Sequence, residues 1–230
     1  MIFSTTWLIP GLVPDLMHIP DGFLNLLVAG TSWAMSAIVL GYAVRRTNRQ
    51  LGEKQVPLMG VMAAFIFAAQ MLNFPVAGGT SGHLIGGALA SILLGPWAGM
   101  LVMTSVVAIQ ALIFQDGGLI TLGANILNMA VIASLAGYYV YVGTQRLLTN
   151  RAWASLASGF LAAWCSVFLA AIATALELAL AGTSPAQIAL PAMGSVHALI
   201  GVGEGLITVA ALAFITTTRR DLVEPRPGPS

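Results

Sequence analysis

The sequence predicts an all-α membrane protein, a bundle of about seven transmembrane helices. Hydrophobic residues make up 58% of the 230 residues and charged residues only 7%, whereas a soluble domain carries about 25% charged residues. Apolar stretches near the ~20 residues that a spanning helix needs recur along the chain. Short segments rich in glycine, proline or basic residues separate them. These observations place most of the chain in lipid.

The basic residues set the predicted boundaries of the spans. All nine lie in three clusters, which begin at Arg45, Arg146 and Arg219. One span, about 23–44, precedes the first cluster, four spans fit between the first and second clusters, and two follow the second. The predicted breaks within these groups are marked by glycine, proline or polar residues and fall at 73–82, 95–96, 115–118 and 182–185. The segment 83–95 is short for a full span and is expected to be tilted or partly re-entrant.

Charge also predicts the orientation of the bundle. Loops rich in lysine and arginine favour the cytoplasm, so the number of spans between two basic clusters should be even. Seven spans then leave the N-terminus outside and the C-terminus in the cytoplasm. The three histidines of the chain, His18, His83 and His197, would all lie at the outer ends of their helices.

Three regions are expected along the chain. Residues 1–16 form an N-terminal extension that lacks the features of a signal peptide and is too short to span a membrane. Residues 17–218 form the transmembrane domain that carries the site. Residues 219–230 form a polar cytoplasmic tail. The net charge of +1 argues against nucleic-acid binding, and the single cysteine rules out a disulfide within the chain.

Two stretches carry the clearest chemical signal. Residues 17–24 read Met-His-Ile-Pro-Asp-Gly-Phe-Leu, and His83 stands in the glycine-rich run 78–87. When a histidine directly follows a chain's first residue, the terminal amine, the histidine amide and the imidazole can bind one metal ion. A second histidine then completes a square plane, which suits Ni(II) and related metals. The sequence therefore indicates a metal site built on His18 and His83.

Other polar residues are candidates for supporting roles. Asp21 is expected to orient an imidazole, to cap the helix that begins near Phe23, or both. His197 and Glu204 fall on one helical face, and intramembrane ionisable residues usually mark a site or a paired network. For Glu204 the sequence leaves open a structural role or a role in the path of the metal. No HExxH pattern occurs, which disfavours a zinc protease.

The polar segment 114–128 adds further candidates. Asp116 lies in a turn that could close over a site, while Asn125 and Asn128 are expected to bind other helices, because an amide in lipid needs a partner. Gln70 is interpreted in the same way. The first span also carries a seam of small residues, Gly30, Ala34, Ala37 and Gly41. It could dock another span of this chain or a partner subunit, and sequence alone favours another span of this chain.

The chain resembles the CbiM/NikM family, the substrate-binding membrane subunits of cobalt/nickel energy-coupling factor transporters. The resemblance rests on the motifs at 17–24, 78–87, 114–128 and 197–208. It implies a seven-helix subunit that captures Co(II) or Ni(II) as its transported substrate and needs no cofactor. The implied ligands are the amine of Met17, the amide and imidazole of His18, and His83.

The resemblance also implies partners and a location. The partners would be a small auxiliary membrane subunit, a transmembrane coupling subunit and two cytoplasmic ATPases, in the inner (plasma) membrane. This chain contains no GxxxxGK[ST] pattern, so ATP would be hydrolysed on a partner and the chain itself is not expected to be an enzyme. The chelate needs a free amine on Met17, so translation is expected to begin there, the alternatives being cleavage of residues 1–16 or a site built differently.

Three other functions remain open at the level of sequence. An intramembrane enzyme could use His197, Glu204 and Asp116, and it would tolerate loss of His18. A proton-coupled secondary metal carrier could titrate Glu204 without any ATPase partner. A structural or assembly protein would retain no metal. Sequence alone also does not choose between cobalt and nickel, because four nitrogens suit both.

Overall fold

The computed structural model describes residues 18–50, 52, 55–71, 73–76, 80–148, 151 and 153–218. Met17, the extension and the tail expected at 219–230 lie outside these residues. Most of the described part is helical, and the remainder consists of loops and one short hairpin. Its helices are α1 Leu26–Gln50, α2 Gln55–Gln70, α3 Gly87–Leu94, α4 Pro96–Ile113, α5 Leu122–Ile126, α6 Ala133–Leu147, α7 Ala154–Leu180 and α8 Ala186–Thr218, with a π-helical segment, Leu127–Ile132, that joins α5 to α6.

Five helical stretches of the described chain are long and apolar enough to cross a membrane, the continuous stretch 122–147 among them. The all-α prediction is thus confirmed. The helix α2 has 16 residues and α3 only 8, in keeping with the short segment expected at 83–95. Gly95 and Pro96 separate α3 from α4, since Gly95 adopts a positive φ of 84° and proline favours the first turn of a helix.

The first span begins later and extends further than predicted. It starts at Leu26 because the Asn25 side chain, rather than Asp21, accepts the backbone N–H of Val28 at 2.9 Å. It continues through the first basic cluster to Gln50. The expectation that Asp21 caps this helix is wrong.

The predicted break at 73–82 is a β-hairpin. Strand β1, Asn73–Val76, pairs antiparallel with β2, Thr80–His83, and Asn73 lies opposite His83. The hairpin therefore ends with His83 shortly before the start of α3.

The short helix α3 lies at the centre of the bundle against α4, α6 and α7. Glycines allow this close approach. A Cβ atom at Gly137 of α6 would lie 2.6 Å from the Cα of Ala88, and one at Gly99 of α4 would lie 2.7 Å from the Cα of Ser91. The segment that follows His83 is consequently held inside the protein.

The small-residue seam of α1 does not pack against the described part of the chain, which corrects the expectation from sequence. Its four members are exposed. The opposite face turns inward because its serines find hydrogen-bond partners: the Ser36 hydroxyl donates to the Gly123 carbonyl at 2.7 Å, and the Ser32 hydroxyl donates to the Glu177 carboxylate at 3.2 Å.

Candidate metal site

The segment that carries His18 is fastened to the start of α5. The backbone N–H of Ile19 donates to Oδ1 of Asn125 at 3.0 Å, and Nδ2 of Asn125 donates to the Ile19 carbonyl at 3.1 Å. The hydroxyl of Thr121 donates to the same carbonyl at 2.6 Å. Asn125 was expected to bind another helix; it instead fixes the residue next to His18, because a side-chain amide can satisfy both backbone groups of one peptide segment.

Asp21 fastens the same two segments from the other direction. Its carboxylate accepts the backbone N–H groups of Leu119, Ile120 and Thr121 at 3.1, 2.8 and 3.2 Å. These three N–H groups lie just before α5, and a negative charge near the N-terminus of a helix is favourable. Asp21 therefore stabilises the approach to α5, and the carboxylate beside the His18 imidazole belongs to Asp116.

Two glycines permit this interlock. Gly117 has a φ of 101°, and a Cβ atom there would lie 2.8 Å from the Cβ of His18. A Cβ atom at Gly118 would overlap the carboxylate and the backbone nitrogen of Asp21. No side chain fits between the 115–121 loop and the His18 segment, so the loop lies directly over the histidine.

His18 is buried, with 5% of its surface exposed. Its Nδ1 lies 3.1 Å from Oδ1 of Asp116. That contact is within ion-pair distance, but its angle is not that of a hydrogen bond, and neither ring nitrogen of His18 has a hydrogen-bond partner among the described residues. Buried polar atoms are nearly always paired, so this imidazole is suited to a ligand from outside the chain.

His83 faces His18 across a short gap. The centroids of the two rings are 5.5 Å apart, with 44° between the ring planes. Nδ1 of His83 donates to the Leu84 carbonyl at 2.8 Å. A carbonyl can only accept, so the neutral ring carries its lone pair on Nε2, the state required for metal ligation.

Glu204 of α8 anchors the backbone just beyond His83. Its two carboxylate oxygens accept the N–H groups of Ile85 at 2.7 Å and Gly86 at 2.8 Å. Gln70 of α2 donates from Nε2 to the Ile85 carbonyl at 2.7 Å. These contacts are those of a structural partner, one of the two roles that the sequence left open for Glu204, while a role in the path of the metal stays a prediction; Gln70 binds another segment, as expected.

All three histidines line a single cavity of about 300 Å³. His197 is the third, and its Nδ1 donates to the Met193 carbonyl at 2.8 Å, one turn earlier in α8. Within the described residues, no three side chains of His, Cys, Asp or Glu converge in a metal-binding arrangement. A metal ion held by His18 and His83 would therefore need further ligands that are not side chains of this kind.

A second polar group borders the cavity. Nδ2 of Asn128 donates to the Glu177 carboxylate at 2.6 Å and to the Thr174 hydroxyl at 3.0 Å, so Asn128 binds a neighbouring helix as expected. Glu177 was not singled out as a candidate from sequence. The available signal was its position as a carboxylate inside an apolar span, which is costly without partners.

Comparison with known proteins gives a consistent result. The family model described as the cobalt uptake substrate-specific transmembrane region matches residues 18–222. A protein of Archaeoglobus fulgidus, provisionally named as the fused nickel transport protein NikMN, is 46% identical over 93% of this chain and 70% of its own length. The cobalt transport protein CbiM of Geobacter sulfurreducens is 34% identical over 90% of this chain and 61% of its own length. The crystal structure of a truncated transition metal transporter superposes with a TM-score of 0.77 and 36% identity, covering 87% of this chain and 99% of that one.

Proposed function

Since this chain belongs to the cobalt uptake substrate-specific transmembrane family, we propose that it is the specificity subunit of an ATP-driven importer of Co(II) or Ni(II). The metal ion is its transported substrate, captured at the outer face of the inner membrane. A coupling subunit, an auxiliary membrane subunit and two ATPases complete the transporter. The topology proposed with this role has seven spans, the N-terminus outside and the C-terminus inside, as the basic clusters predict.

One observation carries the proposal. The buried imidazole of His18, with no hydrogen-bond partner at either nitrogen among the described residues, faces His83 at a ring-centroid distance of 5.5 Å, and both line one cavity. Two imidazoles supply half of a square plane. The family resemblance implies that the amine of Met17 and the amide nitrogen of His18 take the remaining positions, in keeping with the lack of a third histidine, cysteine or carboxylate ligand among the described residues.

This chelate has a specific consequence for His18. Only Nδ1 of a histidine can close a six-membered ring with the amide nitrogen of the same residue. In the structure Nδ1 lies beside Asp116, so ligation would replace that contact, leaving a carboxylate close to the bound cation. The chelate also requires that the mature chain begin at Met17, with residues 1–16 absent.

The test is Ni(II) and Co(II) binding by the detergent-purified protein. His83→Ala should weaken affinity by at least a hundredfold, since it removes one of four ligands. His197→Ala is the matched control, because His197 lines the same cavity but its ring is tied to its own helix, and it should bind nearly as well as the original protein. Full affinity in the His83→Ala variant would overturn the proposal.

A further inference from the structure

Asn128 presents an oxygen atom for which the described protein provides no donor. The side chain is 2% exposed and lines the same cavity as His18 and His83. Its Nδ2 is engaged by the Glu177 carboxylate and the Thr174 hydroxyl, both of which can accept. Because the amide nitrogen must face these two acceptors, the contacts fix the orientation of the amide. Its Oδ1 is then buried without a hydrogen-bond partner among the described residues.

Such an oxygen is suited to a donor that arrives with the substrate. Buried polar atoms in native proteins are nearly always paired, and a water molecule can pair with them where space allows. The cavity of about 300 Å³ is far larger than a bare metal ion needs. Six water molecules occupy roughly 180 Å³ in the liquid, so the cavity has the volume for a divalent ion that still carries its water shell.

We propose that Asn128 Oδ1 is the first contact of the hydrated cation in the cavity. It accepts a hydrogen bond from one of the ion's water ligands before nitrogen ligands replace that water. The proposal rests on the function proposed above and adds a step to it. Glu177 and Thr174 act as positioning residues that hold the amide, while Asn128 itself contacts the substrate's water shell. Oxygen atoms suit aqua ions, and the nitrogen site suits the dehydrated late transition metal, so the two sites serve successive states of one ion.

The experiment measures the rate of Ni(II) association by stopped flow with the full protein in detergent. Asn128→Leu should slow association and dissociation by the same factor, at least tenfold, while the absorption spectrum of bound Ni(II) and its Kd stay unchanged, because Asn128 contacts the ion only on its way to the nitrogen ligands. Ser32→Ala is the control, because it removes a hydrogen bond to Glu177 without altering the cavity lining, and it should associate at the original rate. An unchanged rate for Asn128→Leu, or an equal slowing in Ser32→Ala, would overturn the proposal.

A second variant keeps the test decisive if Asn128→Leu does not fold. Thr174→Val preserves shape and removes one of the two acceptors that orient the amide, and it should slow association about threefold. A folded Thr174→Val variant that associates with Ni(II) at the rate of the original protein would then contradict the proposed role of Asn128. Failure of the proposed function has a different signature: the original protein would bind no Ni(II), or His83→Ala would have no effect.

Discussion

The carboxylate of Glu204 accepts the backbone N–H of Ile85 at 2.7 Å, which ties the middle of α8 to a residue two positions after His83. The carbonyl of Ile85 is held from the other direction by Gln70, whose own Oε1 accepts from Gln110 at 2.8 Å. Both polar groups of one residue are therefore fixed by different helices. The buried polar residues of α2, α4 and α8 determine where the backbone that carries the His83 imidazole lies.

Glu204→Gln should weaken Ni(II) binding more than it weakens the fold. The amide keeps the size of the side chain, but it can accept only one of the two N–H bonds and turns a donor toward the other. Loss of an outer partner of a ligand typically costs 10–100-fold in metal affinity, and we expect a Kd increase in that range by calorimetry. Ser158→Ala is the control, because the Ser158 hydroxyl is buried without a partner among the described residues and its removal should leave the Kd unchanged. Original affinity in a folded Glu204→Gln variant would refute this role.

Substitutions of Asp116 and of Asp21 should have different effects, although both side chains contact the His18 region. Asp116→Asn removes the negative charge 3.1 Å from the His18 imidazole and should raise the Kd for Ni(II) about tenfold with little change in melting temperature. Asp21→Asn weakens three backbone hydrogen bonds that join two segments and should lower the melting temperature as well. Paired titrations and thermal melts in detergent measure both quantities. Identical behaviour of the two variants would contradict the division of roles.

Gly118→Ala should destabilise the site without touching a ligand. The added methyl group would overlap Asp21, so the 115–121 loop must move away from the His18 segment, and overpacking of this kind costs roughly 1–3 kcal/mol. We expect a lower melting temperature together with weaker metal binding. Gly60→Ala is the matched control, since a Cβ atom there meets nothing within 4 Å and alanine favours a helix interior. A melting temperature as high as that of the control would show that the loop is not tightly packed.

Features marked locally in the sequence were predictable. Gly95 and Pro96 indicated a break because a positive φ and a missing N–H act at those positions themselves. The basic clusters predict that the three histidines share one side of the membrane; that side stays a prediction, while the structure places all three on one cavity. Such inferences use only properties of neighbouring residues.

The partners of the polar residues were not predictable in the same way. Asp21 bonds to residues about a hundred positions away, and Asn128 bonds to Glu177 on another helix. An isolated sequence shows that an aspartate or an amide needs a partner, but which partner depends on how helices pack. The prediction that the small-residue seam of α1 packs against another span was wrong for the same reason, because the hydrogen bonds of Ser32 and Ser36 orient the helix.

Metal binding should release protons if the amide nitrogen of His18 is a ligand. At pH 8 free imidazoles are already neutral and a terminal amine is about half protonated, so a chelate that uses the amine and the amide should release roughly one and a half protons per Ni(II). A site of two imidazoles alone should release almost none. Affinity should accordingly fall as the pH is lowered, because the protons compete with the metal ion.

Release is measured with an indicator dye in weak buffer, on protein whose intact mass shows that it begins at Met17. A form that retains residues 1–16 serves as the control, since its Met17 nitrogen is a peptide nitrogen, and it should bind Ni(II) weakly. Release near zero from the Met17 form would eliminate the backbone chelate and leave the imidazoles as the only protein nitrogens on the metal.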